Sequence, residues 1–190
     1  MTLDKLDRSI VMVGLMGAGK SSIGRRLANR LGLPFVDADN EIEKAAGCTI
    51  TEIFDRFGED AFRDGERKVI KRLMDGDVKV LSTGGGAFMD DETRALIGDN
   101  GVSIWLRADL DLLVQRCSRR NTRPLLEKGD PREILSNLIE ERYPVYGEAD
   151  ITIDAGDRDH EDTVDRVIDY LELYLEKNPR RVREPEHAGS

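Results

Sequence analysis

Short apolar runs alternate with segments of helical period along almost the whole chain. Ile10-Val11-Met12-Val13 is apolar at every position, as a strand buried on both faces must be. Behind it Ile23, Leu27 and Leu31, interleaved with Arg26 and Arg30, trace a helix with one apolar side. Leu33 to Val36 predicts a second strand ending at Asp37, and Glu41 to Ala46 a helix stopped by Gly47. Thr51-Glu52-Ile53-Phe54 starts another turn, and Phe62, Val69, Ile70 and Leu73 face one way on a helix over 62–74. A third strand is expected over 78–81, a helix over 91–97, a fourth strand over 102–106 and a helix over 110–117. An irregular basic stretch follows at 119–124, then a helix over 131–146 and a fifth strand over 149–153. The last helix, 161–175, carries the stripe Val164, Val167, Ile168, Leu171 and Leu175.

Alternation of this kind implies a parallel sheet wrapped by helices on both faces. A chain of 190 residues suits one such α/β domain with a generous core. From Lys177 onward the sequence is rich in Pro, Arg and Glu and has no apolar stripe. That tail, 177–190, is expected to be disordered, leaving a domain over 1–176. No internal repeat is visible.

The loop between the first strand and its helix reads Gly14-Leu15-Met16-Gly17-Ala18-Gly19-Lys20-Ser21. Its spacing and its strand–loop–helix setting are those of a phosphate-binding P-loop. Glycines let successive N–H groups curl inward toward phosphate oxygens, and the helix N-terminus adds positive potential. Lys20 can reach the β- and γ-phosphates, and the Ser21 hydroxyl can ligand Mg²⁺. A Gly-rich turn that binds nothing is the plain alternative, and the flanking pattern argues against it.

Three further features lie after strands or at helix starts, where ligand-facing residues of such sheets gather. Asp37-Ala38-Asp39 offers two carboxylates, one for Mg²⁺ through water and one for an acceptor hydroxyl, or else Asp39 is a helix N-cap. Thr83-Gly84-Gly85-Gly86 allows close backbone approach to a ligand, or is a flexible turn. Arg63, Arg116, Arg119, Arg120, Arg123 and Arg142 cluster near loops, where a single arginine is more often a solvated surface ion pair. Arg123 differs, because Pro124 follows it in a loop that could serve as a lid over transferring phosphate.

In order, Gly-x-x-Gly-x-Gly-Lys-Ser, Asp-x-Asp, Phe-Arg-x-x-Glu, Gly-Gly-Gly, Arg-Pro-Leu and Arg-x-x-x-Tyr resemble the motif set of the shikimate kinase family. The resemblance spans roughly Ser9 to Leu175. It implies a three-layer αβα sandwich of the nucleoside-monophosphate-kinase type, with five parallel strands in order 2-3-1-4-5. It also implies ATP-dependent phosphorylation of the shikimate 3-hydroxyl, a step toward chorismate and the aromatic amino acids. Carried over, Gly17, Ala18, Gly19, Lys20, Ser21 and Ser22 cradle ATP, with Lys20 on the transferring phosphoryl. Ser21 holds Mg²⁺ and Asp37 assists through water. Asp39 holds or deprotonates the hydroxyl, Arg63 and Arg142 clamp the carboxylate, and Gly85 and Gly86 supply backbone contacts. Arg116 lies against adenine, and Arg123 is the catalytic lid arginine. The shikimate-binding region would span about 37–65 and the lid about 117–130. After the last strand, Asp157 stands where some relatives carry a basic residue, so Arg158 or the backbone would take over any contact to ATP.

Composition narrows the alternatives. With 29 Lys and Arg against 38 Asp and Glu, the net charge of -9 disfavours a non-specific hold on nucleic acid or anionic membrane. Cys48 and Cys117 lack metal-ligand spacing and read as idle thiols of a cytoplasmic protein. No apolar stretch approaches membrane-spanning length. A monomer acting on ATP and shikimate is expected. Gluconate kinase is the nearest rival, but it should lack the combination of Asp-x-Asp, Phe-Arg-x-x-Glu and triple glycine. A nucleotide sensor or a vestigial module should have lost Lys20, Asp39 or Arg123, and all three are present.

Overall fold

In a computed structural model, residues 6–118, 129–156 and 159–179 are described. The chain threads β1 (Ser9–Val13), α1 (Lys20–Leu31), β2 (Phe35–Asp37), α2 (Ala38–Ala46), α3 (Ile50–Met74) and β3 (Val80–Ser82). It continues through a 3-10 turn (Ala87–Met89), α4 (Asp91–Asn100), β4 (Gly101–Arg107), α5 (Leu110–Ser118), α6 (Pro131–Tyr146), β5 (Ile151–Asp154) and α7 (His160–Lys177). The five strands are all parallel, in the order β2-β3-β1-β4-β5. This is the expected order. β1 lies at the centre, with Ile10 opposite Val80 on one side and Val102 on the other, and all of its residues are buried.

α1 packs against α7, and α3 against α4; the right-handed rule for parallel crossovers puts the two pairs on opposite faces of the sheet. The stripe predicted on α7 packs as expected, with Val164, Val167 and Leu171 fully buried. A second, smaller apolar cluster, Ile42, Ile53, Phe62 and Val69, joins α2 to α3. It fixes the two helices that carry Asp39 and Arg63 against one another, outside the main core.

Three local expectations are revised. The turn at 51–54 and the helix at 62–74 belong to one run, α3, opened by a capping box between Thr49 and Glu52. Gly58 breaks that run at φ 82 and ψ 175, a conformation reserved for glycine, and the polar residues around it masked the continuity. Asp37, and not Asp39, caps α2: its carboxylate accepts from the N–H groups of Asp39 and Asn40. The capping alternative for Asp39 therefore falls, because the helix begins one residue after Asp37. The turn after the triple glycine carried no periodic signal and is new.

Candidate active site

The P-loop owes its shape to Gly14, Gly17 and Gly19, at φ 139, 81 and 100. A side chain is excluded at Gly17 on a second ground, since its Cβ would lie 2.9 Å from the Cys117 Sγ. Lys20, the first residue of α1, is buried and donates to the carbonyls of Gly14 (2.7 Å) and Leu15 (2.9 Å). Its ammonium is thereby held across the mouth of the loop. Arg116, from α5, ties the loop down from outside, donating to the carbonyls of Gly17, Ala18 and Gly156 at 3.2 to 3.4 Å. Ser22, next along α1, accepts from Arg26.

Ser21 faces the ends of β2 and β3. Its hydroxyl donates to Asp37 Oδ2 at 2.8 Å and lies 3.2 Å from the Ser82 hydroxyl. One hydroxyl and one carboxylate side by side, both hard oxygen donors, suit Mg²⁺, which keeps most of its waters and takes the rest of its shell from phosphates. Among the described residues no cluster of three His, Cys, Asp or Glu side chains exists to hold a metal without substrate.

A second cleft opens beside the triple glycine. A Cβ on Gly84 would lie 2.9 Å from Asp39 Oδ1 and 3.1 Å from Glu66 Oε1, so both carboxylates close on this backbone. A Cβ on Gly86 would overlap the Arg63 guanidinium, and one on Gly85 would lie 3.3 Å from Arg142 Nη1. The same point on Gly85 is 3.6 Å from the Gly14 carbonyl and the Met16 N–H nitrogen. The glycines are needed here for close approach, and through Gly85 the second cleft abuts the phosphate loop. Arg63, Arg142 and Asp39 thus lie beside the glycines 84–86, Lys20 reaches the same Gly14 carbonyl that Gly85 approaches, and Ser21 pairs with Asp37. Arg123, Asp157 and Arg158, and most of the expected lid, lie outside the described residues.

The charges in this cleft are interlocked, with Glu66 and Arg142 buried and Arg63 half-buried. Arg63 Nη1 donates to Glu66 Oε2 at 2.8 Å and Nη2 to Glu59 Oε1 at 3.2 Å. Burial of Arg63 disfavours its charge, but these two carboxylates outweigh that and raise its pKa. Burial pushes the Glu66 carboxyl up, more than its bond to Arg63 pulls it down, and the nearby Asp39 and Asp90 add to the rise. Glu66 Oε1 and Arg142 Nε are buried without a hydrogen-bond partner. Cations and unsatisfied polar atoms gathered at one cleft are what a small, charged, hydroxylated ligand would satisfy.

Comparison with known proteins decides the family. The model for "Shikimate kinase" matches residues 16–172. The chain belongs to the shikimate kinase family. A shikimate kinase of Paramagnetospirillum magneticum is 59% identical over 172 residues, covering 90% of this chain and 88% of that protein. One from Rhodopseudomonas palustris is 57% identical over 169 residues, covering 89% and 83%. Among solved structures, the shikimate kinase of Acinetobacter baumannii in complex with shikimate superposes with a TM-score of 0.84 at 37% identity, covering 91% of this chain and 96% of that one. The family's fold is the one seen here.

Sequence reasoning gave no role to Glu66, Glu59 or Ser82. Glu66 was visible in the Phe-Arg-x-x-Glu motif, three residues from Arg63 on a helix, the spacing of an ion pair. Ser82 carried no signal, since only the pairing of β1 with β3 brings it to Ser21.

Proposed function

We propose that the chain phosphorylates the 3-hydroxyl of shikimate with ATP, giving 3-phosphoshikimate and ADP. One observation carries the assignment of residues: Asp39, Glu66, Arg63 and Arg142 converge on three glycines whose middle member touches the P-loop. Acceptor and phosphate donor would therefore meet at Gly85.

Arg63 and Arg142 bind the acceptor carboxylate, the planar guanidinium matching it in shape and charge. Asp39, fixed at the first turn of α2, accepts a hydrogen bond from the reacting hydroxyl. As the oxygen attacks the γ-phosphorus and the bond to ADP breaks, that proton passes to the Asp39 carboxylate. Lys20 exchanges the Gly14 and Leu15 carbonyls for phosphate oxygens, and the N–H groups of residues 17–22 cradle the remainder. Mg²⁺ bound at Ser21 and, through water, at Asp37 would neutralise charge on the β- and γ-phosphates. Arg116 steadies the loop that grips the nucleotide and lies where adenine would pass. By the family resemblance, Arg123 would act on the transferring phosphoryl.

The enzyme acts as a cytoplasmic monomer with no nucleic-acid or membrane partner. Supporting the cytoplasmic reading and the lack of a polyanionic partner, both cysteines are free thiols and the net charge is -9. No described helix is long and apolar enough to cross a membrane.

A coupled ADP-release assay with ATP and Mg²⁺ tests the assignment against shikimate, quinate, gluconate and nucleoside monophosphates. Shikimate should support the fastest turnover. Faster turnover with gluconate or a nucleoside monophosphate would overturn the choice of acceptor.

A further inference from the structure

Tyr146, the last residue of α6, lies wholly inside the molecule, and the chemistry above makes no use of its hydroxyl. Its ring packs among Trp105, Tyr143 and Phe88, with centroids 5.9, 6.2 and 6.4 Å away. Packing alone needs no oxygen there, because phenylalanine would fill the same space. The oxygen has two polar neighbours. It donates to the Gly85 carbonyl, and the Arg142 guanidinium, one turn back on the same helix, reaches it as well. Burial pushes the phenol up to about 12, against the pull of Arg142, so the group remains a proton donor.

The described chain has no cis peptide bond. In a planar trans peptide the C=O and N–H point in opposite directions. With the Gly85 carbonyl drawn down to the buried hydroxyl, the Gly86 N–H of that same peptide turns away from the core. Arg63, whose guanidinium occupies the space beside Gly86, lies outside that core.

We propose that Tyr146 is a positioning residue for the acceptor: one buried hydroxyl sets the Gly85–Gly86 peptide and the Arg142 guanidinium relative to each other, so that a backbone donor and a carboxylate-binding cation meet shikimate at a fixed spacing. The inference rests on the placement of shikimate beside Arg142 and the triple glycine given above. Tyr146 touches neither substrate. Its contribution is to acceptor geometry, and the nucleotide side of the site should not feel its loss.

Tyr146→Phe keeps the ring and removes the hydroxyl. Calorimetric titration and steady-state kinetics on the full chain should show shikimate affinity lowered about five- to twentyfold, with ATP affinity within about twofold of the parent. Phe88→Leu, which loosens the same packing and keeps the hydroxyl, should lower the melting temperature and leave that split absent. Unchanged shikimate affinity in a folded Tyr146→Phe protein, or equal losses for shikimate and ATP, would overturn the proposal. A parallel Arg142→Ala titration separates the two levels of the argument. If Arg142→Ala loses shikimate while Tyr146→Phe does not, only the positioning role fails. If neither loses it, the acceptor site itself is misplaced. Should Tyr146→Phe not fold, ¹⁵N spectra of the unaltered protein answer the same question. Shikimate should shift the Gly86 amide and slow its hydrogen exchange, and an unmoved Gly86 amide would contradict the outward-facing peptide.

Discussion

Glu66 is buried with one carboxylate oxygen unpaired, next to Asp39, and its charge is costly there. Burial raises its pKa above the ordinary 4.5, so the folded state holds this proton more tightly than the unfolded chain does. Stability from this group is therefore complete below pH 4.5 and is lost as pH rises through the raised value. Glu66→Gln cannot titrate, so urea denaturation across that window should give it a flatter stability profile than the parent. Parallel profiles would show that Glu66 titrates as it does in the unfolded chain. Asp39 poses a different question, because its charge matters as the acceptor proton leaves. Asp39→Asn should lower kcat about 10²- to 10⁴-fold while shikimate affinity changes far less. A loss confined to KM would make Asp39 a binding residue only. At this scale the sequence was informative wherever a motif fixes a residue type. It was silent on Glu66 Oε1 and on the Tyr146 hydroxyl, whose roles depend on what the fold leaves around them.

The elements that build the site are short, and their ends carry its chemistry. β2 ends at Asp37, which caps α2 and meets Ser21; β3 ends one residue before the loop Thr83–Gly86. Periodicity predicted each strand and helix used here, since buried parallel strands and one-sided helices write strong patterns. It missed what has no period. The Gly58 break, the 3-10 turn and the cap at Asp37 depend on single backbone conformations. The triple-glycine loop makes a prediction at this scale. In Gly86→Ala the new methyl would overlap both terminal nitrogens of the Arg63 guanidinium. A flexible side-chain end yields more readily than backbone, so the protein should fold with Arg63 displaced. Shikimate affinity should then fall about tenfold with ATP affinity retained. In Gly17→Ala the pattern should reverse, because its φ of 81 and the Cys117 contact belong to the phosphate loop. Identical losses in the two variants would deny the division into acceptor and nucleotide clefts.

Over the whole molecule, one sheet, buried along β1 and β3 and half-buried at its β2 edge, supports a satellite cluster of four residues, and the site lies where the two meet. That arrangement follows from the connection between β2 and β3, which is long enough to hold two helices and so carries Asp39 and Arg63 away from the sheet on their own small core. The order of the strands was legible only through the family resemblance, since alternation alone fixes a parallel sheet and not its sequence of neighbours. At the far end, Arg8 donates to the Asn178 carbonyl at 2.9 Å, closing α7 against the start of the chain. Deleting residues 180–190 spares that bond and removes no apolar stripe. The truncated protein should keep its kcat and melt within about 3 °C of the parent, and a larger drop would show that the tail is part of the fold.

The central claim is that Arg63 and Arg142, brought from α3 and α6 to one run of glycines, hold the carboxylate of shikimate. Calorimetric titration of Arg63→Ala and Arg142→Ala with shikimate, and separately with ATP, tests it most directly. Each charged hydrogen-bonding partner removed should cost about one to two decades of shikimate affinity and leave ATP affinity within about twofold. Shikimate affinity unchanged in both variants would contradict the account.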